Sequence, residues 1–294
     1  MKDSGRATKI LGIRLTQRQG EGYVQMDQEA YTAEILGEFG FSECRPQSTP
    51  LSPSVKLDDE NSPLLNYLDH RLFRRIIGRT TFLVVGTRPD ISFSVNRLSQ
   101  YLADPHKVHL EAAKHILRYL AGTLTFKLIY RKAQDEFYLV GYADSALANS
   151  RGNKLSTSTY VFYLSNNSSP VCWKTRKQPI VAQSTTEAEY VALAEAVKQS
   201  IWLSHLMFSL GKQQREVPSI IYEDNRGAIS LAKNPGNHGK TKHIMLRYHA
   251  VRDAVERREV KIEYRHTGEM IADGLTKSLT SDKIVKLTRQ LHLH

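Results

Sequence analysis

Residues Glu187 to Leu210 read as one long helix, and that helix constrains the fold more than any other segment. Ala188, Val191, Ala192 and the run Ala194 to Val197 place small apolar side chains along it, as in a helix that packs closely against a neighbour. The segments around it have strand character. Phe137 to Tyr142 is apolar nearly throughout, which suits a central strand buried on both sides. Ser158 to Leu164 and Val171 to Lys174 follow, joined by the turn residues Asn166-Asn167-Ser168-Ser169-Pro170. Beyond the long helix come a strand from Ser219 to Glu223, a helix from Asn225 to Lys233, a charged helix from Arg247 to Arg258 and the alternating strand Val260 to Tyr264. Residues from Glu269 onward return to helix. This order predicts an α/β domain with a mixed sheet, an antiparallel meander first and a parallel pair across the crossover helix.

The upstream half reads differently. Lys9 to Gln17 alternates Ile10, Gly12 and Arg14 against Leu11, Ile13 and Leu15, and Gln19-Gly20-Glu21-Gly22 turns it into a return strand at Tyr23 to Met26. Asp27 stands where an N-cap belongs, ahead of a helix carrying Tyr31, Ile35, Leu36 and Phe39 on one face and stopped by Gly40. No third strand is evident nearby. A hairpin alone is marginal, so this end reads as cut from something larger. Pro46 to Pro63 reads as a linker, with Pro46, Pro50, Pro53 and the run Asp58-Asp59-Glu60-Asn61-Ser62. Helices follow at Leu72 to Gly86, after Arg88-Pro89-Asp90, and at His106 to Leu120 with Leu110, Ala113, Leu117 and Leu120 inward. The expected divisions are a hairpin and helix over 1–45, a linker over 46–65, a helical region over 66–134, the α/β domain over 135–280 and a tail over 281–294.

Charge points to a partner. The chain has 41 Lys and Arg against 30 Asp and Glu, a net charge of +11. That balance favours an anionic ligand, most commonly nucleic acid. Lys107, Lys114 and Arg118 share one face of the His106–Leu120 helix, a face that either tracks phosphates or, more commonly, is simply solvated. Cys44 and Cys172 are too few for a disulfide scaffold or an all-cysteine zinc site. No apolar run is long enough for a membrane helix, and Met1-Lys2-Asp3-Ser4-Gly5 lacks a signal-peptide core. The expected setting is intracellular and reducing, in cytoplasm or nucleus, with no membrane partner.

Carboxylates carry the chemical information. Asp144 follows the first strand of the α/β domain, in Gly141-Tyr142-Ala143-Asp144, and Asp224 follows a later one, in Tyr222-Glu223-Asp224-Asn225. If those strands are neighbours, the two aspartates end side by side, and a helix laid across them brings Glu189 to the same point. Acids crowded together raise one another's pKa, a conflict that a hard divalent cation removes; oxygen-only ligands suit Mg²⁺ or Mn²⁺. Zinc fits poorly, because His238, His243, His249 and His266 have no paired cysteines. The ordinary reading of either aspartate alone is a turn or N-cap residue. Glu187 fits a capping box with Ser184, which leaves Glu189 as the better ligand. Asp273 alone would pass as a surface residue of the last helix. Asp58-Asp59 lies in the linker and reads as solvated. Composition and spacing go no further than an acidic metal site in a basic protein.

Together these segments resemble the end of a copia-type retrotransposon Pol polyprotein. Gly141-Tyr142-Ala143-Asp144, Thr186-Glu187-Ala188-Glu189-Tyr190-Val191-Ala192-Leu193, Tyr222-Glu223-Asp224-Asn225 and Ala272-Asp273-Gly274-Leu275-Thr276-Lys277 are similar to the four acid-bearing segments of that family's RNase H domain. Thr241-Lys242-His243-Ile244 and Arg247-Tyr248-His249 are similar to further family signatures. Upstream, Val85-Gly86-Thr87-Arg88-Pro89-Asp90-Ile91 resembles the connection region, and Met1 to Gly12 the last strands of the polymerase palm. The resemblance implies an RNase H-like mixed sheet flanked by helices, preceded by a smaller α+β remnant of palm and connection. It implies hydrolysis of the RNA strand of an RNA–DNA hybrid, with Asp144, Glu189, Asp224 and Asp273 binding two Mg²⁺ ions and His266 shuttling a proton. Lys154, Ser156, Thr157, Ser158, Lys174, Arg176, Lys177 and Asn225 become candidates for gripping the hybrid, with Lys107, Lys114 and Arg118. It also implies a larger Pol polyprotein around this segment, with the polymerase aspartates upstream. The chain departs from the pattern at Ser145-Ala146-Leu147, where a second acid and a tryptophan are usual, at Thr159 for a glycine, at Met245 for an acid and at Ser278 for a proline. Such departures suit a catalytically weak or inactive nucleic-acid-binding remnant as the alternative.

Overall fold

The chain forms two units in the computed structural model, which describes residues 5–59, 61–132, 138–147, 155–164, 168–212, 217–233 and 245–294, the side chains of 19 and 245–248 excepted. The first unit comprises Met1–Lys132, Asn167–Ser169 and Ser278–His294; the second comprises Ala133–Asn166 and Pro170–Lys277.

In the first unit, strands β1 (Lys9–Ile10), β2 (Ile13–Arg18), β3 (Tyr23–Asp27) and β4 (Leu128–Arg131) form an antiparallel sheet in that order. The third strand missing from the sequence reading is β4: Met26 pairs with Leu128 and Tyr23 with Arg131. It comes from a hundred residues downstream, so no local pattern announces it. Gln28 holds the N-cap position of helix α1 (Glu29–Phe39), but Asp27, one residue earlier and buried, accepts the Glu29 N–H at 3.1 Å and takes a 2.9 Å bond from Arg14 Nε. Gly40 closes the helix in the left-handed conformation, φ 74°.

The expected linker over 46–65 is packed structure instead. Leu51 and Leu57 are buried, the Gln47 N–H donates to the Arg118 carbonyl, and the ring of His109 bonds the Leu57 carbonyl at 2.8 Å. Asp58, read as solvated, accepts from Arg97 at 2.9 Å and from the Tyr101 hydroxyl at 2.5 Å. Helix α2 (Tyr67–Gly86) starts five residues before the expected Leu72, because the Asn66 side chain accepts the Asp69 N–H. A 3-10 turn (Pro89–Ile91) leads into α3 (Ser92–Ser99), and α4 (Lys107–Gly122) follows. The expected tail is helix α8 (Ser281–Gln290), whose continuation pairs Leu293 with Leu128 inside this unit.

Arg88 and Asp90 anchor the first unit's interior. The guanidinium binds both Asp90 oxygens at 2.9 and 2.7 Å, the Tyr119 hydroxyl donates to the same carboxylate at 2.8 Å, and Arg88 Nη1 donates to the Thr123 carbonyl. All three side chains are buried. Removing one partner strands a charge in the interior. Asp90→Ala is therefore expected to lower the unfolding free energy by about 3–5 kcal/mol, read from urea denaturation, whereas replacing Arg88 and Asp90 together by Met and Leu costs much less.

The second unit holds a five-stranded mixed sheet. Strands β5 (Val140–Ala146), β6 (Thr157–Tyr163), β7 (Cys172–Lys177), β8 (Ser219–Glu223) and β9 (Val260–Tyr264) lie in the order β7-β6-β5-β8-β9. β5, β6 and β7 are antiparallel; β8 runs parallel to β5, and β9 parallel to β8. Helix α5 (Thr185–Ser209) crosses from β7 to β8, and α6 (Arg226–Lys233) with α7 (Met245–Glu256) crosses from β8 to β9. Ala143, Phe162, Tyr190, Leu193, Ala196, Val197 and Ile221 form the core between sheet and α5. Gly141 is needed there, since a Cβ would sit 2.3 Å from the Phe162 ring. The expected final helix from Glu269 is instead two 3-10 turns, Thr267–Glu269 and Ala272–Leu275. Leu275 is buried, and its carbonyl accepts hydroxyl bonds from Thr159 and Thr175, both at 3.1 Å. Thr159, which departs from the family's glycine, is thus part of what docks that turn. Among the described residues, no helix is long and apolar enough to cross a membrane.

Candidate metal centre

Register brings the acids together. In the parallel pair, Val140, Gly141 and Tyr142 stand opposite Ile220, Ile221 and Tyr222. Two residues further along, Asp144 and Asp224 come level at the same end of the sheet. The N-terminus of α5 packs over β5, and Glu189 falls in its second turn. One carboxylate oxygen from each of Asp144, Glu189 and Asp224 lies within 4.8 Å of the others. Glu187 is occupied elsewhere: its N–H donates to Ser184 Oγ at 3.1 Å, and its carboxylate accepts the Gln183 N–H at 2.7 Å. The helix cap therefore separates the two neighbouring glutamates by role.

The cluster is electrostatically strained. Burial, and then the charges of Asp273 and Asp224, push Asp144 up to about 7. Burial, and then Asp144 and Asp224, push Glu189 up to about 9. Glu223, fully buried beneath them, is raised well above the usual carboxylate range by burial and by Glu189. Hydroxyls steady the aspartates: Thr276 donates to Asp144 Oδ2 at 3.1 Å, and Thr267 to Asp224 Oδ2 at 2.6 Å. Glu189 Oε2 and Glu223 Oε2 are buried with no hydrogen-bond partner among the described residues. Three converging carboxylates with an orphaned buried oxygen fit a hard divalent cation, and the all-oxygen donor set suits Mg²⁺ or Mn²⁺ rather than zinc.

The other candidate residues divide. Asp273 lies in a 3-10 turn, not a helix, and its carboxylate is outside the three-oxygen cluster. It is still a neighbour, because its backbone carbonyl accepts the same Thr276 hydroxyl that reaches Asp144. His266 is exposed and caps the turn before Gly268, accepting that N–H at Nδ1 (3.1 Å); the adjacent Thr267, not the imidazole, touches an acid. Asn225 caps α6 through its side-chain oxygen, which accepts the Ala228 N–H at 3.0 Å.

Ser156 is fully buried, and Ser158 accepts the Gln178 side-chain amide at 2.8 Å, so neither hydroxyl stands on the surface where a nucleic-acid backbone would pass. Thr157 is half-buried at the start of β6, opposite Lys177. Lys174, Arg176 and Lys177 lie on the outer strand β7 and line a shallow pocket with Tyr160, Val191 and Glu195. Lys154 and Thr241 to Ile244 lie outside the described residues. In the first unit, Lys114 pairs with Glu111 at 2.9 Å and Arg118 sits over the Phe41 ring, leaving Lys107 as the exposed member of that face. The sequence reading missed Thr267, Thr276, Glu223 and Gln178. Of these, Glu223, next to Asp224, and Thr276, three residues beyond Asp273, lay in segments already marked as chemical.

No protein-family model matches the chain. It is 35% identical over 298 residues to the retrovirus-related Pol polyprotein from transposon TNT 1-94 of Nicotiana tabacum, covering 100% of this chain and 22% of that one. It is 35% identical over 280 residues to the Pol polyprotein from transposon RE1 of Arabidopsis thaliana, covering 95% and 18%. The transposon Ty1-LR3 Gag-Pol polyprotein of Saccharomyces cerevisiae matches at 24% over 292 residues, covering 96% and 16%. Among solved structures, the N-terminal RNase H domain of a Mycobacterium tuberculosis protein matches 52% of this chain and 98% of its own at 16% identity, TM-score 0.34. A foamy viral protease–reverse transcriptase in complex with an RNA/DNA hybrid matches 89% of this chain and 29% of its own at 13% identity, TM-score 0.45. Both scores are below one half, and the fold rests on the strand order and crossovers given above. The second unit has the mixed sheet flanked by helices that the sequence resemblance leads one to expect. The chain belongs to the retrovirus-related Pol polyproteins of copia-type transposons, and it spans about a fifth of the length of the plant relatives it matches.

The raised acids give a pH dependence with a defined sign. Unfolded, these carboxyls ionise near pH 4; folded, Asp144 and Glu189 hold their protons to about 7 and about 9. The folded state binds more protons between those limits, so stability falls as pH rises through that window. In EDTA the melting temperature is expected to drop from pH 5 towards pH 9, and 10 mM Mg²⁺ (on the order of a saturating dose) is expected to raise it more at pH 8 than at pH 5. Equal shifts at both pH values would count against a carboxylate metal site.

Proposed function

We propose that the second unit is an RNase H-like domain that hydrolyses the RNA strand of RNA–DNA hybrids in a divalent-cation-dependent reaction. The convergence of Asp144, Glu189 and Asp224 within 4.8 Å carries this reading. Those three carboxylates would hold Mg²⁺, with Mn²⁺ as a substitute, and Asp273 would contribute to a second ion. Bound cations supply positive charge that activates water and stabilises the leaving 3′ oxygen.

The chain's own residues supply placement. β5 and β8 fix the two aspartates at one level, and the Ser184 cap fixes the turn of α5 that presents Glu189. Thr276 and Thr267 orient one oxygen of each aspartate and leave the other for a ligand. Lys174 and Arg176 on β7, two strands from β5, would supply positive charge for phosphates, and 2′-hydroxyl contacts would distinguish the RNA strand. In this reading the domain acts as part of a larger Pol polyprotein, in cytoplasm or nucleus.

A labelled hybrid incubated with the protein and Mg²⁺ tests the proposal. Asp144→Asn or Asp224→Asn is expected to lower cleavage at least about 100-fold while retaining hybrid binding. Full cleavage by either variant would remove these assignments. A separate measurement addresses the grip: neutralising Lys174 and Arg176 together is expected to weaken hybrid binding and reduce the slope of log affinity against log salt by about 1–2.

A further inference from the structure

We propose that Lys277 is a built-in counter-cation of the acidic site, which Asp273 must release before its carboxylate can help to hold a second divalent ion. This rests on the metal-binding reading of Asp144, Glu189 and Asp224. The Lys277 ammonium lies 2.6 Å from Asp273 Oδ1, four residues away across the end of the 3-10 turn. Its charge also reaches Asp144, where it favours the ionised carboxylate. Asp273 is tethered beside Asp144 whatever its own side chain does, because Thr276 Oγ lies within bonding distance of both the Asp273 carbonyl (2.9 Å) and Asp144 Oδ2 (3.1 Å). The three other acids meet without it, and Glu189 Oε2 is buried with no partner among the described residues. The acids therefore form two classes: the converging trio of Asp144, Glu189 and Asp224, which among the described residues makes no side-chain ion pair, and Asp273, which makes one with Lys277.

That division sets an order. A first divalent ion meets three carboxylates and displaces no protein cation. A second ion, drawing on Asp273, competes with an ammonium already in contact. The ion pair is partly solvated, with 47% of the lysine side chain and 26% of the aspartate exposed, so it opens at modest cost. Lys277 thus makes the second ion the weaker one without excluding it.

Mn²⁺ titration of the full chain, without nucleic acid and followed by the electron paramagnetic resonance signal of free Mn²⁺, tests this. Wild type is expected to show a tight and a weaker site. Lys277→Met, which keeps the stem and removes the charge, is expected to strengthen the weaker site by about fivefold and the tight site by less than about twofold. Lys277→Arg, which retains the pair, should resemble wild type, and Asp273→Asn should abolish the weaker site. Two sites that Lys277→Met leaves unmoved, or a weaker site that it weakens further, would overturn the proposal alone. Loss of all Mn²⁺ binding in wild type would remove the metal reading, and this inference with it.

Discussion

Mutual repulsion among Asp144, Glu189 and Asp224 is the constraint around which the second unit is arranged. Asp144 and Glu189 are buried, Asp224 is partly exposed, and one carboxylate oxygen of each lies within 4.8 Å of the others, so their negative charges repel at short range. Holding them together requires rigid supports on every side. The supports are two parallel strands in fixed register, a capped helix packed across them, and a 3-10 turn docked through the Leu275 carbonyl. Each contributes backbone order or a hydroxyl bond, and none of these groups supplies a full positive charge to the trio. The fold thus gathers carboxylate oxygens at one end of its sheet, where burial and mutual repulsion favour protons over bare charge in the absence of another cation.

The first unit solves a different problem with similar means. Arg88, Asp90 and Tyr119 are buried together, and there the charges are matched inside the protein. The contrast is informative. A buried carboxylate with a bidentate guanidinium is complete in itself, whereas a buried carboxylate such as that of Glu189, whose oxygen has no partner among the described residues, is complete only with something added. The two acids-in-the-interior motifs of this chain therefore differ in kind: one carries its own counter-cation, and the other is the site proposed to bind a metal.

Much of the α/β domain was legible in the sequence because its elements are strongly periodic and its connections are local. The order of strands and helices and the long helix from the Ser184 cap onward could be read from neighbouring residues, and the acids at strand ends were visible as candidates. The upstream half was less legible. β4 pairs with β3 across a hundred residues, so nothing near the hairpin in sequence marks its partner. The proline-rich stretch over 46–65 carries turn chemistry yet packs Leu51 and Leu57 inward, because its apolar residues are sparse and their neighbours lie on distant helices. The last segment was read as helix from its composition, although its backbone is governed by what Leu275 and Thr276 must reach.

The sequence by itself determined which side chains were available: the acids, their place at strand ends and on a capped helix, and the excess of positive charge. Those depend on residue type and local spacing, which a linear text records. Only the tertiary structure decided which acids meet, which hydroxyls orient them, and which cation already touches one of them. Those are distances between segments as much as 132 residues apart, such as Thr276 and Asp144, and they are set by sheet register and docking rather than by any local pattern.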